Sequence, residues 1–398
     1  MLNMSGTGQG GADQLQVLRG WLVDTALPFW LDAGFDTASG RFHERLGMDG
    51  APLQVPHRAM VQARQVFVFA EAARRGWINP GDAPEQAMRG LLRDHADRSG
   101  GIASFAFSVH RDGRVASAVR DAYAHAFVLL SLASLYELTG DPRLMTVADE
   151  ITAFIERELT DPQHGGLFDQ LPDAPPLKRQ NPVMHLLEAY LALEQARPGA
   201  GYLERASRLV GLFSARLFKP AEGALIEYFR ADWSPHPDPS LGNHFEPGHH
   251  FEWVWLLDEY ARLSGRLVPF QDQLFTAARG CGVSATGAVF DMVDVASRRG
   301  AGFFRLWPHT EAIKAAIVRD GDGDPDGAPF ARMMAGVLME QFLGRPFAGG
   351  WLDHLDRSGA PLVDYVPASS LYHIITAVLE FDRRCGAGLS PISLEDAI

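Results

Sequence analysis

Gly223-Ala224-Leu225-Ile226-Glu227-Tyr228 is one copy of a glycine-led punctuation that recurs along the whole chain. The other copies are Gly40-Arg41-Phe42-His43-Glu44, Gly101-Ile102-Ala103-Ser104-Phe105, Gly166-Leu167-Phe168-Asp169, Gly287-Ala288-Val289-Phe290-Asp291 and Gly350-Trp351-Leu352-Asp353-His354. Self-similarity at a period of roughly 60 residues is the mark of a repeat architecture. Each glycine opens a few residues of strand-like alternation. Turns such as Asp49-Gly50, Asp112-Gly113 and Ser358-Gly359 close several of them, so they read as short hairpins.

Two helix-length segments lie between consecutive hairpins. After the first come 59–75 and 84–98; after the second, 122–139 and 142–159; after the third, 182–197 and 202–217. The fourth is followed by 248–263 and 269–278, and the fifth by 307–319 and 329–343. After the last comes 369–383, whose partner is the N-terminal segment 14–31, which closes the ring. The pattern predicts an all-α fold, an (α/α)6 barrel of about twelve helices with short hairpins between helix pairs. The first segment of each pair is the more apolar, as in Phe67-Val68-Phe69-Ala70 and Ala126-Phe127-Val128-Leu129-Leu130, which suits an inner ring buried on most sides. Residues 1–13 read as a disordered tail and 14–398 as one catalytic domain.

Composition narrows the partners. The chain has 398 residues, is 46% hydrophobic and carries a formal net charge of -13. That balance argues against nucleic acid and anionic membrane and favours a neutral small molecule. Two cysteines, Cys281 and Cys385, leave no disulfide framework, and the N-terminus lacks a signal-like apolar run. A cytoplasmic protein with no membrane span, monomeric or homodimeric, is expected.

The polar residues at the starts of the inner segments are Arg58 and Arg64, Asp121 and Tyr123, Asn181 and His185, His249 and Glu252, Trp307 and His309, and His373. Inner-helix N-termini should gather at one mouth, so these groups converge on one rim, as ligand pockets do. In Glu246-Pro247-Gly248-His249-His250-Phe251-Glu252-Trp253, His249 and Glu252 stand three apart on one helical face, where a carboxylate can meet an imidazole and raise its basicity. Arg64 is alternatively a structural partner of Glu71 or Asp121. His43, His57, His95, His110, His125, His164 and His354 are read as structural. Despite 14 histidines, neither His-Glu-x-x-His nor Cys-x-x-Cys occurs, so no metal and no cofactor is expected.

Gln62-Ala63-Arg64-Gln65-Val66, Asn181-Pro182-Val183-Met184-His185, Pro247-Gly248-His249-His250-Phe251-Glu252-Trp253, Leu306-Trp307-Pro308 and Leu371-Tyr372-His373 together resemble the N-acylglucosamine 2-epimerase superfamily, from about residue 15 to residue 385. That group holds sugar 2-epimerases and mannose-type aldose-ketose isomerases on an (α/α)6 barrel. The resemblance implies that His249 and His373 are acid/base histidines, that Glu252 supports His249, and that Arg64, Asn181, His185 and Trp307 contact the sugar. His250, beside the motif histidine, departs from the pattern and leaves the numbering of the pair open. Tyr123 and Arg58 complete the expected substrate-binding set.

The implied reaction removes the C2 hydrogen of an open-chain sugar to give a cis-enediol. Return of the proton to C1 yields a ketose, and return to C2 from the opposite face yields the 2-epimer. Interconversion of D-mannose and D-fructose is favoured, with His373 carrying the C2/C1 proton and His249 opening the ring. A 2-epimerase of mannose, cellobiose or an N-acylated hexosamine is the alternative. Lys178-Arg179 keeps a charged hexose open. A glycoside hydrolase would instead use two carboxylates among Asp121, Glu252 and Glu311, and a binding module would show no turnover.

Overall fold

The computed structural model describes residues 13–172 and 177–386. The expected disordered tail lies outside the described residues except for Asp13, which caps the first helix by accepting a hydrogen bond from the Leu15 amide.

Twelve helices carry the architecture. They are α1 (Gln14–Trp21, continuing through a π-turn at Leu22–Ala26 into Leu27–Asp32), α2 (Ala59–Arg74), α3 (Ala83–Asp94), α4 (Ala122–Thr139), α5 (Pro142–Phe154) and α6 (Gln180–Ala196). There follow α7 (Tyr202–Leu212), α8 (Pro247–Ser264), α9 (Gln271–Gly282), α10 (Trp307–Gly321), α11 (Gly327–Val337) and α12 (Leu371–Gly386). The even-numbered helices α2, α4, α6, α8, α10 and α12 pack side by side into a closed inner ring, and each is backed by an odd-numbered outer helix. As expected, α1 packs on α12 and closes the outer ring. The N-terminal turn of α3 starts as predicted, but the helix stops four residues early. Ala96–Asp97 is a strand there, because His95 turns inward and its Nδ1 bonds the Ala106 carbonyl.

α4 is long and apolar enough to cross a membrane, at 18 residues with a mean hydropathy of 1.2, contrary to the expectation that no segment is. It is 72% buried inside the inner ring, where an all-round apolar helix belongs.

The strands do more than punctuate. Residues 57–58 pair with 108–109, 120–121 with 170–171, and 177–179 with 228–230. Likewise 244–245 pair with 293–294, 304–305 with 354–355, and 365–367 return to pair with 45–47. Each of these six ladders joins one repeat to the next, and the last joins the sixth repeat to the first. The mouth of the barrel is thus laced by a closed ring of antiparallel ladders, which leaves few free strand edges.

A second device fastens four of the six hairpins to their own inner helices. The Phe105 amide donates to His125 Nε2 (3.0 Å), the Leu225 amide to His250 Nε2 (2.9 Å) and the Val289 amide to His309 Nε2 (3.0 Å). In the first repeat Gln62 Oε1 accepts from the Phe42 amide at 3.0 Å. Each histidine donates its Nδ1–H to a backbone carbonyl, so the tautomer is fixed and the ring must stay neutral. Burial accordingly pushes His125 and His309 down to about 4 and His250 to about 3. His250 is therefore a structural pin, stacked on Phe245, and His249 alone of the pair faces the cavity. His309, expected at the rim, is a pin as well.

Candidate active site

A cavity of about 730 Å³ opens inside the ladder ring, at the N-terminal ends of the inner helices. Its wall brings together Arg58, Arg64, Tyr123, Asn181, His185, His249, Glu252, Trp307 and His373, residues from all six inner-helix starts. Asp121 is not among them; it caps α4 by accepting from the Ala124 amide.

Trp307 forms the centre. Its ring lies 4.9 Å from that of His249 and 5.6 Å from that of His373, so the indole is in contact range of both imidazoles. Gly248 makes room for it, since a Cβ at that position would sit 2.5 Å from the indole. The glycine is the second residue of α8, whose predicted start at 248 the structure extends by one residue to Pro247.

His249 donates from Nδ1 to Glu227 Oε2 at 2.9 Å, with Glu246 Oε2 at 3.7 Å. Glu252 does not hold His249, contrary to the reading from helical spacing. The first turn of α8 aims His249 at the preceding hairpin, where Glu227 waits, and turns Glu252 into the barrel axis. Burial would depress the imidazolium, but Glu227 and Glu246 outweigh it and hold His249 up at about 9. Glu227 is well satisfied as an anion, also accepting from Gln180 Nε2 at 3.0 Å and the Glu246 amide at 3.1 Å. Glu246 itself is pushed by burial to about 7.

Glu227 went unread as a site residue, although the repeat carried a signal. The hairpin acids Glu44, Asp169 and Asp291 pair with Arg58, Arg179 and Arg305, the arginines just before their inner helices. In the fourth repeat Glu246 stands where the arginine would be. The hairpin acid is thereby released to take His249.

His373 is held by Glu311, with Nδ1 2.8 Å from Oε1, which commits Nδ1 and leaves Nε2 for the cavity. Burial, then Arg64 and Lys314, push this imidazole well below its ordinary range, so it is neutral. Beneath it, Glu311 pairs with Lys314 at 2.6 Å. His185 bonds Glu188 at 3.0 Å and is also neutral, pushed by burial to about 4. Glu252 is 1% exposed, neither of its oxygens has a hydrogen-bond partner among the described residues, and burial followed by the nearby Glu311 raises it well above the carboxylate range.

Arg64 is only 4% exposed, donates to the Tyr123 hydroxyl at 2.6 Å, and lies 4.1 Å over Phe127 and 4.8 Å from Tyr372. Neither suggested structural partner is used: Glu71 pairs with Arg74 and Arg75, and no carboxylate among the described residues pairs with Arg64. A buried guanidinium without an anion is costly. Its position therefore favours negative charge arriving with the ligand. Asn181 offers a buried Oδ1 with no hydrogen-bond partner among the described residues, and Arg58 sits half-exposed at the rim on Glu44. Lys178 is sequestered by Asp161 and Arg179 by Asp169, so neither is free for an anion.

Histidine and carboxylate also gather in three clusters whose ligand atoms lie within 4.8 Å of one another: His185, Glu188 and Glu252; Glu227, Glu246 and His249; Glu252, Glu311 and His373. In each, an imidazole Nδ1 is already engaged by a carboxylate, and in the last Lys314 supplies the compensating cation.

Acid, base and anion-stabilising groups around an aromatic floor, in an (α/α)6 barrel, define a sugar-isomerising class of enzyme. The chain belongs to the N-acylglucosamine 2-epimerase (GlcNAc 2-epimerase) family, whose profile matches residues 40–377. It is 34% identical over 384 residues to the mannose-6-phosphate isomerase of Rhizobium meliloti (strain 1021), covering 92% of this chain and 96% of that one. The D-mannose isomerase of Thermobifida fusca is 28% identical over 336 residues, covering 76% and 81%. The solved cellobiose 2-epimerase from Spirochaeta thermophila DSM 6192 superposes with a TM-score of 0.82 at 25% identity, over 94% of this chain and 97% of that one.

Proposed function

We propose that this enzyme is an aldose-ketose isomerase that interconverts D-mannose and D-fructose through a cis-enediol, without a metal. The observation that carries the reading is a neutral imidazole and an imidazolium beside one indole, in a cavity also lined by a guanidinium that has no carboxylate partner among the described residues. Trp307 supports the apolar face of the sugar, while Asn181, His185 and Tyr123 meet its hydroxyls. His249, protonated up to about 9, delivers a proton to open the ring. Nε2 of His373 takes the C2 hydrogen as a proton, the C2 electron pair forms the C1–C2 double bond, and the carbonyl oxygen becomes the enediolate oxygen. Arg64 offsets that charge, by about 3 kcal/mol if it acts as other preorganised oxyanion donors do. Return of the proton from His373 to C1 on the same face gives the ketose.

Proton NMR of the enzyme with mannose in heavy water, with and without a chelator, tests this. Fructose formed equally in both supports it. Glucose as the main product replaces it with 2-epimerisation, in which His249 protonates C2 from the opposite face.

One observation favours a phosphorylated substrate as a second reading. Arg45 lines the mouth, stacks on Tyr365 at 4.3 Å, and has no carboxylate partner among the described residues. It offers a docking point for a 6-phosphate, in keeping with the name of the Rhizobium relative. Parallel assays with mannose and mannose 6-phosphate decide it. A selectivity for the phosphate that vanishes in Arg45→Ala selects the second reading.

A further inference from the structure

Lys314 stands one helical turn beyond Glu311 on α10, is fully buried, and does not line the substrate cavity. A lysine is almost never buried to this degree unless it is paired. Its Nζ lies 2.6 Å from Oε2 of Glu311, whose other oxygen, Oε1, is 2.8 Å from Nδ1 of His373. Nζ also lies 4.0 Å from the centre of the Trp255 ring, which offers it a cation–π face while donating its own N–H to Glu380 at 3.2 Å.

The other titratable groups facing this series are Glu252 and His249 of α8, Glu188 and His185 of α6, Arg64 of α2 and Tyr372 of α12. The outer helix α11, packed behind α10, brings only Arg332, which is exposed. Glu252 is protonated, His185 is neutral, and Tyr372 is a phenol that donates to Glu188. Burial would raise Glu188, but its contact with His185 outweighs burial and keeps it an anion. His249 is balanced by Glu227. The remaining anions of the barrel axis are then Glu188 and Glu311, and its cations are Arg64 and Lys314. Loss of the Lys314 charge would leave one negative charge in excess, and a dry interior meets that by taking up a proton. Burial already raises the Glu311 carboxyl, and Glu311 is the group in contact with the lost charge, so the Glu311–His373 pair takes that proton. Whether it sits on the carboxyl, donating to Nδ1, or makes an imidazolium, Nε2 then carries a hydrogen. An imidazole in that state cannot accept one from C2.

We propose that Lys314 is a positioning residue that keeps His373 a base: by holding Glu311 as a carboxylate, it confines the imidazole hydrogen to Nδ1 and leaves Nε2 bare toward the substrate. The inference rests on the reading of His373 as the C2 base. Lys314 is absent from the cavity wall, so it acts through Glu311.

Nitrogen-15 NMR of histidine-labelled enzyme, with the His373 signals assigned by their loss in His373→Asn, reads the protonation directly. In native enzyme at neutral pH, Nδ1 is expected to carry the hydrogen and Nε2 none; hydrogen on Nε2 there overturns the proposal. In Lys314→Met, protonation of Nε2 is expected to persist about 1–3 pH units higher than in native enzyme, the shift that loss of a neighbouring opposite charge brings. Lys314→Gln, which keeps a polar end beside Glu311, covers a failure of the Met variant to fold and is expected to shift the same way. The acid limb of the kcat profile should rise by the same interval while KM changes little, whereas a merely structural lysine would lower kcat equally at every pH. An unshifted His373 titration in either folded variant overturns the proposal. Absence of ketose from mannose and mannose 6-phosphate with native enzyme overturns the isomerase reading instead, and the titration still decides on the lysine.

Discussion

The two reacting imidazoles are tuned in opposite directions by the charges beside them. Glu227 and Glu246 keep His249 charged to about 9, while Arg64 and Lys314, with burial, keep His373 neutral to well below 6.5. Activity that needs both states should hold across neutral pH and be lost as pH rises through about 9. In Glu227→Gln the strongest opposition to burial is removed and only Glu246 remains close by, so the alkaline limb of the kcat profile moves to lower pH while the acid limb stays. His373→Asn should cut kcat by about 10³-fold, within the range of lost acid/base catalysis, while leaving the circular dichroism spectrum unchanged. Arg64 and His373 were legible from sequence because each lies inside a short motif at an inner-helix start. Glu227 was not, since 22 residues separate it from His249 and only the fold brings them to 2.9 Å.

At the scale of the element, the starts of four inner helices, α2, α4, α8 and α10, carry two jobs. One side presents a polar group to the cavity; the other pins the hairpin. Adjacent histidines His249 and His250 divide these jobs within one turn of α8, which sequence left open because both are imidazoles. His309→Ala should leave the Val289 amide unpaired and a void against Phe342, lowering the unfolding free energy by about 3 kcal/mol in urea titration. Gly248→Ala tests a different contact. Its Cβ would strike the Trp307 indole, so KM for the sugar should rise while the urea midpoint shifts little.

Across the whole molecule, the three histidine pins and His185 set the response to acid. His125, His185, His250 and His309 are buried neutral, with pKa values at or below about 4. A depressed folded pKa supports the fold above the unfolded value of about 6.5 and loses that support as pH falls through the interval below it. Each contributes a loss of roughly 1.4 kcal/mol per pH unit over that interval, so Tm should drop steeply between about pH 6.5 and 4. A Tm flat over that range would mean that these rings are already charged in the folded state. The ring of ladders, closed by 365–367 on 45–47, ties the first and sixth repeats into this single response.

The six-copy punctuation, the helix pairs and the apolar inner segments determined the barrel and its mouth from sequence alone, because repeat period and hydrophobic pattern are local properties. Which carboxylate meets which imidazole was a tertiary decision. Glu227, Glu311 and Glu188 reach His249, His373 and His185 through the side each helix start happens to turn, and only Glu188 stands within a helical turn of its histidine. A spacing of three residues fitted Glu252 to His249 equally well, yet packing turned that carboxyl into the barrel axis, beside Glu311 and Glu188. Burial then fixed protonation, since the charge of each group depends on the neighbours that replace water around it.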